Sequence, residues 1–262
     1  SGSIVGAETV QAFKNTIFMW VLNFIPQVLL SLLLAAWFTD LRVKIGNKAQ
    51  GIFKTLFYLP NIITAASISF LFFQLFSIKG PVNQILIDIG VFDKAFMFTD
   101  SGKAVRYIIA FINFWMWYGN TTILLIAGIM GINPSFYDSA EIDGATSGQI
   151  FRKITLPLLR PILLFTLMTS LIGGMQMYDV PQIMGTNGNV NRIVGYDSIK
   201  TVTMVIQNKA LASFKDYGVA ATISVLLFAV TAVASIALFF VMRDKDAIAE
   251  RKERKRERRA NK

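Results

Sequence analysis

The 262-residue chain contains neither cysteine nor histidine. Thiolate chemistry, imidazole general bases and the commonest metal-ligand sets are therefore excluded together. Charge is also sparse: Asp, Glu, Lys and Arg make up 16% of the residues and fall between the apolar runs. None occupies the central turns of those runs, whereas ion-driven carriers keep ionisable relays at mid-membrane depth. A Gly-x-x-x-x-Gly-Lys-Ser/Thr phosphate loop is missing as well. The one Gly-Lys pair, Gly102-Lys103, precedes Ala104 and has Met97 where the upstream glycine would stand. The chain thus brings neither an ion relay nor a P-loop nucleotide site.

What it does have is apolar length. Hydrophobic residues make up 54% of the chain, with 22 Phe. Five runs, 17–38, 56–78, 107–132, 158–178 and 218–242, are long enough at about 1.5 Å per residue to cross a hydrocarbon core of about 30 Å. Lipid offers no partner to backbone amides, so each run is expected to be a helix. The predicted fold class is all-α, a polytopic helical membrane protein. Residues 1–16 are expected to be an extracytoplasmic segment, 17–242 the transmembrane domain, and 243–262 a basic cytoplasmic tail.

Between the third and fourth runs lies a polar interruption, 133–157, with the signals of two short helices. Asn133 before Pro134 reads as an N-cap and first helical position. Gly144 suits a left-handed stop, and Thr146 with Gln149 reads as a capping box opening a second helix, whose length Pro157 limits. Gly144, Ala145, Ser147 and Gly148 at the junction are all small, so another protein's surface can approach the backbone.

The stretch closely resembles the EAA loop of ABC-importer permeases. Asp138, Ser139 and Ala140 stand for the Glu-Ala-Ala triplet. Asp143, Gly144 and Ala145 follow at the spacing of Asp-Gly-Ala, and Phe151, Ile154, Leu156, Pro157 and Pro161 complete the pattern. Asp for Glu and Ser for Ala are the departures. Phe57 to Pro60, Gly128 to Pro134 and Gly185 to Asn189 resemble landmarks of the carbohydrate-uptake permeases, which include the maltose and glycerol-3-phosphate import systems. The likeness covers about residues 10 to 243.

That resemblance implies a type I permease subunit of six helices, five of them visible, with a further helix upstream of Ser1; the alternative is a short linker there. It implies partners: a second permease subunit, two ATP-binding cassette subunits and an extracytoplasmic solute-binding protein. ATP and magnesium would be bound by the ATPase, so no cofactor is expected in this chain. Asp138, Ser139, Ala140, Glu141, Asp143, Gly144, Ala145, Phe151 and Pro157 would form the ATPase-docking site. The segments 76–103 and 179–216 would face outward and touch the binding protein.

Orientation follows from basic residues. With 133–157 inside, Arg42, Lys44 and Lys48 lie inside too, as does the tail, which holds ten Lys or Arg against five Asp or Glu. The compartment is then a bacterial or archaeal cytoplasmic membrane. The basic tail reads as a stop signal beside anionic headgroups, with Glu250, Glu253 and Glu257 interleaved, in preference to a nucleic-acid site.

Polar residues recur at helical spacing within the runs: Asn23, Gln27 and Ser31; Thr64, Ser67 and Gln74; Asn113, Trp117 and Asn120; Thr166, Thr169, Gly173 and Gln176; Ser224, Thr231 and Ser235. For Ser and Thr, interhelical packing explains the stripe. Amides and aromatic rings together suit a sugar's hydroxyls and its C–H face. Asn113, Trp117, Asn120, Thr169, Gly173, Gln176 and Tyr178 are the candidate substrate-binding residues, five of them carried over from the maltose-type resemblance. Trp20, Trp37 and Tyr107 read as interfacial anchors. The expected function is ATP-driven import of a sugar, an oligosaccharide in particular. The alternatives are a phosphate ester, polyamine or anion as cargo, and a non-transport membrane scaffold or intramembrane enzyme. No mid-span Arg or Lys is available for an anion.

Overall fold

A computed structural model describes residues 2–39, 47–186, 193–211 and 215–242. The basic tail, residues Arg42 and Lys44, the Lys48 side chain, and Asn187 to Asn189 lie outside the described structure. Among the described residues every regular element is helical. The elements are α1 (Gly2–Thr39), α2 (Asn47–Ile62), α3 (Ala65–Leu75), α4 (Pro81–Asp88), α5 (Gly102–Met130), α6 (Ser135–Ile142) and α7 (Ser147–Ile150). There follow a π-helical turn (Phe151–Thr155), α8 (Leu156–Leu158), α9 (Arg160–Met175), α10 (Asp179–Thr186), α11 (Tyr196–Ile199), α12 (Val202–Leu211) and α13 (Tyr217–Met242).

Four stretches are long and apolar enough to span a membrane: Val5–Thr39, Gly102–Met130, Arg160–Thr186 and Tyr217–Met242. The second sequence run departs from expectation. Gly51–Ile62 and Ala65–Leu75 meet at 88°, so 56–78 is a broken pair and not one straight span. Pro60 withholds an amide near the end of α2, and Thr64 restarts the chain as N-cap of α3, its hydroxyl accepting from the Ser67 amide at 3.2 Å. Thr64 and Ser67 therefore serve a cap instead of a polar stripe.

The first helix also differs from its expected bounds, beginning at Gly2 instead of near Ile17. Residues 1–16 had been expected as a separate segment; Gly2 onward continues the helix, and its 35-residue apolar part is about 52 Å long. It stays helical there because its polar residues have partners. Asn15 and Thr16 are buried, and Asn15 Nδ2 donates to the carbonyls of Asp197 and Lys200 at 3.0 and 3.1 Å. The Val202 amide donates to Thr16 Oγ1 at 3.2 Å.

Helix α5 is the axis of the bundle. Half of its most apolar window is buried, against 11% for α13, whose Val225, Phe228, Val233 and Val241 stand fully outward. Such a surface is stable only beside lipid or another apolar protein. Three apolar clusters hold the bundle. Met19, Ile109 and Ile112 meet α3, α10 and α11; Leu171, Val202, Val205 and Ile223 join α9, α12 and α13; Ala35, Phe38, Leu125, Ile126 and Leu159 close one end.

The polar stripe of α1 faces α5. Gln27 Nε2 donates to Thr121 Oγ1 at 2.7 Å and Ser31 Oγ to the Tyr118 carbonyl at 2.8 Å. Close approach needs small residues elsewhere. A Cβ on Gly119 would strike the Phe57 carbonyl, one on Gly128 would strike Ile162, and one on Gly174 would strike Trp20. Trp20 is accordingly a packing residue and not an interfacial anchor: its Nε1 donates to Ser170 Oγ at 3.1 Å. Trp37 and Tyr107 remain exposed near helix ends.

Candidate functional site

Two regions carry the candidate residues: the elbow between α5 and α9, and an open face shared by those two helices.

The elbow forms as its local chemistry dictates. Pro134 already has helical dihedrals (φ −55°, ψ −29°), and Asn133 Oδ1 accepts from the Ser135 amide at 3.0 Å, which caps α6. At the other end Gly144 has φ +73°, the Gly144 amide donates to the Glu141 carbonyl at 3.0 Å and the Ala145 amide to the Ala140 carbonyl at 2.9 Å. Those two bonds define a Schellman stop, which reverses the chain. The next helix begins immediately. Thr146 N–H donates to Gln149 Oε1 at 2.8 Å, and the Gln149 amide returns a bond to Thr146 Oγ1 at 3.4 Å, the reciprocal capping box of α7.

Pro157 does not end α7 as the sequence implied. The helical path continues through the π turn at Phe151–Thr155 into α8, with the Leu156 amide reaching the Phe151 carbonyl. The i→i−5 pattern widens the helix by one residue and lets Pro157 pass without a full break. Tyr137 Oη and Thr155 Oγ1, 3.3 Å apart, hold the two arms together.

Helix α6 sorts the expected docking residues by face. Pro134, Tyr137, Asp138 and Glu141 line a cavity behind the elbow, and Ala140 is buried. Ser139, Asp143 and Gly144 are exposed, Ala145, Phe151 and Pro157 half-buried. The sequence reading missed Ile142, which is 87% exposed between Glu141 and Asp143. A hydrophobic residue between two acids on an otherwise polar turn was the available signal. No ion pair among the described residues joins Asp138, Glu141 or Asp143 to Arg152 or Lys153.

The open face is defined by helical spacing. On α9 the residues Phe165, Thr169, Ile172, Gly173 and Gln176 are exposed, and on α5 the exposed Trp117 and Ala127 flank half-buried Asn120 and Leu124. Gly128 of α5 touches Ile162 of α9, so the two stripes border each other. Gly173 has nothing within 4 Å of where a Cβ would sit. Thr169 Oγ1 donates to the Phe165 carbonyl at 2.9 Å and keeps its acceptor lone pairs. Trp117 and Asn120 of α5 and Thr169, Gly173 and Gln176 of α9 thus lie on two open stripes that meet at Gly128 and Ile162.

Asn113 is not with them. It is buried, and its Nδ2 donates to the Ile109 carbonyl at 2.9 Å, with Met177 Sδ at 3.9 Å, so its amide belongs to the core. Tyr178 is half-buried beyond the end of α9.

A third polar cluster ties the 196–202 segment to α1 and α5. Lys200 Nζ lies 3.0 Å from Glu8 Oε1 and 2.8 Å from Asp197 Oδ1, and Lys209 Nζ lies 3.7 Å from Glu8 Oε2. Arg106 donates from Nε to the Ser198 carbonyl and from a terminal nitrogen to Asn15 Oδ1, at 2.6 and 2.8 Å. Burial alone would lower the Lys200 ammonium. Hydrogen bonds and attraction from Asp197 and Glu8 outweigh it and hold the group above its ordinary 10.5.

Comparison with known proteins agrees with this architecture. The family described as "Binding-protein-dependent transport system inner membrane component" matches residues 16–245. The lactose transport system permease protein LacF of Rhizobium radiobacter is 30% identical over 90% of this chain and 76% of its own length. The arabinooligosaccharides transport system permease protein AraP of Bacillus subtilis is 26% identical over 89% of this chain and 74% of its own. Among solved structures, a chain of a bacterial alginate ABC transporter, crystallised with an alginate pentasaccharide-bound periplasmic protein, superposes with a TM-score of 0.75. That chain is 25% identical, with 89% of this chain and 78% of that one covered. Fold, membrane-spanning composition and matched length converge: the chain belongs to the binding-protein-dependent inner-membrane transport components, a family whose relatives here are sugar ABC transporter permeases.

Proposed function

We propose that this chain is the permease subunit of an ATP-driven importer for a neutral oligosaccharide, worked by alternating access. A separate ATPase seats against the elbow at Gly144 to Gly148, and its closure moves α6 and α7 and, through them, α5 and α9. The observation that carries this reading is the elbow itself. A Schellman stop and a capping box fix two short helices at a junction of small residues, with Ser139, Ile142 and Asp143 exposed. A rigid, exposed turn tied at both ends to spanning helices can transmit a push; a flexible loop cannot.

The cargo is inferred from the open face. Trp117 offers an apolar plane, and Asn120, Gln176 and Thr169 offer amide and hydroxyl groups, with no Arg or Lys among them. Neutral hydroxyl-rich solutes match that set better than anions. The named cargoes of the relatives, lactose and arabinooligosaccharides, are of the same class. The face would be completed by a second permease subunit, with a solute-binding protein delivering at the side of α4 and α10–α12, and two ATPase subunits, carrying ATP and magnesium, on the opposite side. In that orientation the C-terminus is cytoplasmic.

The test is reconstitution with the co-purified partners in vesicles. Asp143→Arg should uncouple ATP hydrolysis from uptake without loss of assembly of the permease pair. Gln176→Ala should weaken sugar-dependent uptake by about tenfold while the elbow remains competent. Uptake at the full rate by Asp143→Arg refutes the coupling role, and unchanged uptake by Gln176→Ala removes it from the substrate path.

A further inference from the structure

Gln176, the last residue of the open stripe on α9, stands where that helix ends. Its amide is shared between the Ile172 and Gly173 carbonyls, both at 3.2 Å, and the Met177 amide reaches the Gly174 carbonyl at 3.3 Å. Long, shared bonds at a helix terminus are the first to open. A side chain that meets a solute is useful only on a firm mount, so something other than α9 itself must hold this end.

The next residue supplies the mount. Met177 is buried, its thioether 3.9 Å from Asn113 Nδ2 of α5, and its carbonyl accepts from Thr201 Oγ1 at 2.8 Å. Thr201 is fully buried, and its hydroxyl also accepts from the Met204 amide at 3.3 Å, which caps α12. The cap needs only a lone pair; the proton goes to Met177. The segment that carries Thr201 is itself fixed by side chains of two other helices. Asn15 of α1 holds the carbonyls of Asp197 and Lys200, Arg106 of α5 holds that of Ser198, and Thr16 accepts from the Val202 amide. Asn15 is saturated, since its Oδ1 accepts from both Arg106 and Gln11. A continuous line of bonds therefore runs from α1 and α5 through 197–202 to the residue beside Gln176, and none of them uses the Lys200 ammonium.

We propose that Thr201 is a positioning residue of the substrate path: its O–H fixes the Met177 carbonyl and, through it, the backbone that carries Gln176. The inference rests on the reading of the open face as that path. The clamp grips main chain on the buried side, between the buried Met175 and Met177, and leaves the Gln176 side chain exposed on the open stripe. The polar segment 197–202 thus does more than tie α1 to α5; it sets the end of α9 against both.

Amide hydrogen exchange of the chain within its assembled complex is the test. In the unaltered protein the amides of Gln176 and Met177 should exchange no faster than those in the middle of α9. Thr201→Val, which keeps the shape and removes the hydroxyl, should speed them about tenfold and leave residues 166–170 unchanged. Thr201→Ser should restore slow exchange, and Lys200→Met, which loses ion pairs but not the bond to Met177, should keep it. In vesicles, uptake of lactose or arabinotriose, whichever the unaltered complex imports, should fall about fivefold per ATP hydrolysed in Thr201→Val and stay within about twofold in Thr201→Ser. Fast exchange at Gln176 and Met177 in the unaltered protein overturns the proposal, and that result depends on no variant folding. Slow exchange retained in Thr201→Val, or equal acceleration in Lys200→Met, overturns it too, as does full uptake by Thr201→Val where Gln176→Ala lowers uptake. Full uptake by Gln176→Ala removes the substrate reading instead, and exchange then decides the clamp alone.

Discussion

Gly148 separates docking from folding more cleanly than any other position in the elbow. It lies in α7, is exposed, has nothing within 4 Å of a built Cβ, and does not have the positive φ of Gly144. Replacing it with Trp therefore meets no clash at the Cβ. Helix propensity even favours the change, by roughly 0.5 kcal/mol. The indole adds about 200 Å² of rigid surface at the junction of α6 and α7. If a partner surface seats there, it must accommodate that ring, and overpacking a fitted contact costs about 1–3 kcal/mol, or roughly 5- to 150-fold in affinity. The expected result for Gly148→Trp is an unchanged melting temperature of the isolated permease, sharply reduced ATPase co-purification, and lost uptake. Gly144→Ala is a poorer probe, because the left-handed backbone itself costs an L-residue about 1–2 kcal/mol. Uptake at the full rate by a normally folded Gly148→Trp protein would refute the view that the elbow is a fitted contact.

Other outcomes follow from the same structure. Gly119→Val should destabilise the chain by about 3 kcal/mol or more, because the new Cβ meets the Phe57 backbone, which has no flexible end to yield; thermal unfolding in detergent checks this. Thr146→Ala removes one half of the capping box and should cost about 1 kcal/mol locally, seen as faster hydrogen exchange at the Gln149 amide with exchange in α5 unchanged. Lys200→Met removes the ammonium that Glu8 and Asp197 share, leaves Glu8 with Lys209, and should cost about 1 kcal/mol. Because folding raises the Lys200 value above 10.5, its contribution is complete at lower pH and fades only as pH rises through that folded value. Stability that depends on Lys200 should accordingly be flat from pH 7 to 9 by thermal melt; a decline in that window, absent from Lys200→Met, contradicts the assignment.

Sequence by itself settled a good deal. Periodicity and apolar length were sufficient for an all-helical membrane chain, since lipid permits no other partner for the backbone. Local chemistry was sufficient for the elbow: Asn133-Pro134, Gly144 and the Thr146/Gln149 box act within a few residues of themselves, and each appears as expected. Tertiary structure decided whatever depended on a neighbour far along the chain. Asn113, Trp117 and Asn120 share a helical stripe, but Asn113 meets Met177 and is lost to the core, while Trp117 stays exposed and Asn120 half-buried. Trp20 looked like an anchor until Gly174 and Ser170 on another helix made room for it. The break between α2 and α3 and the passage of Pro157 through a π turn were also out of reach. Proline identifies where a helix loses a bond, but only the packing of the surrounding helices decides whether the chain turns by 88° or carries on.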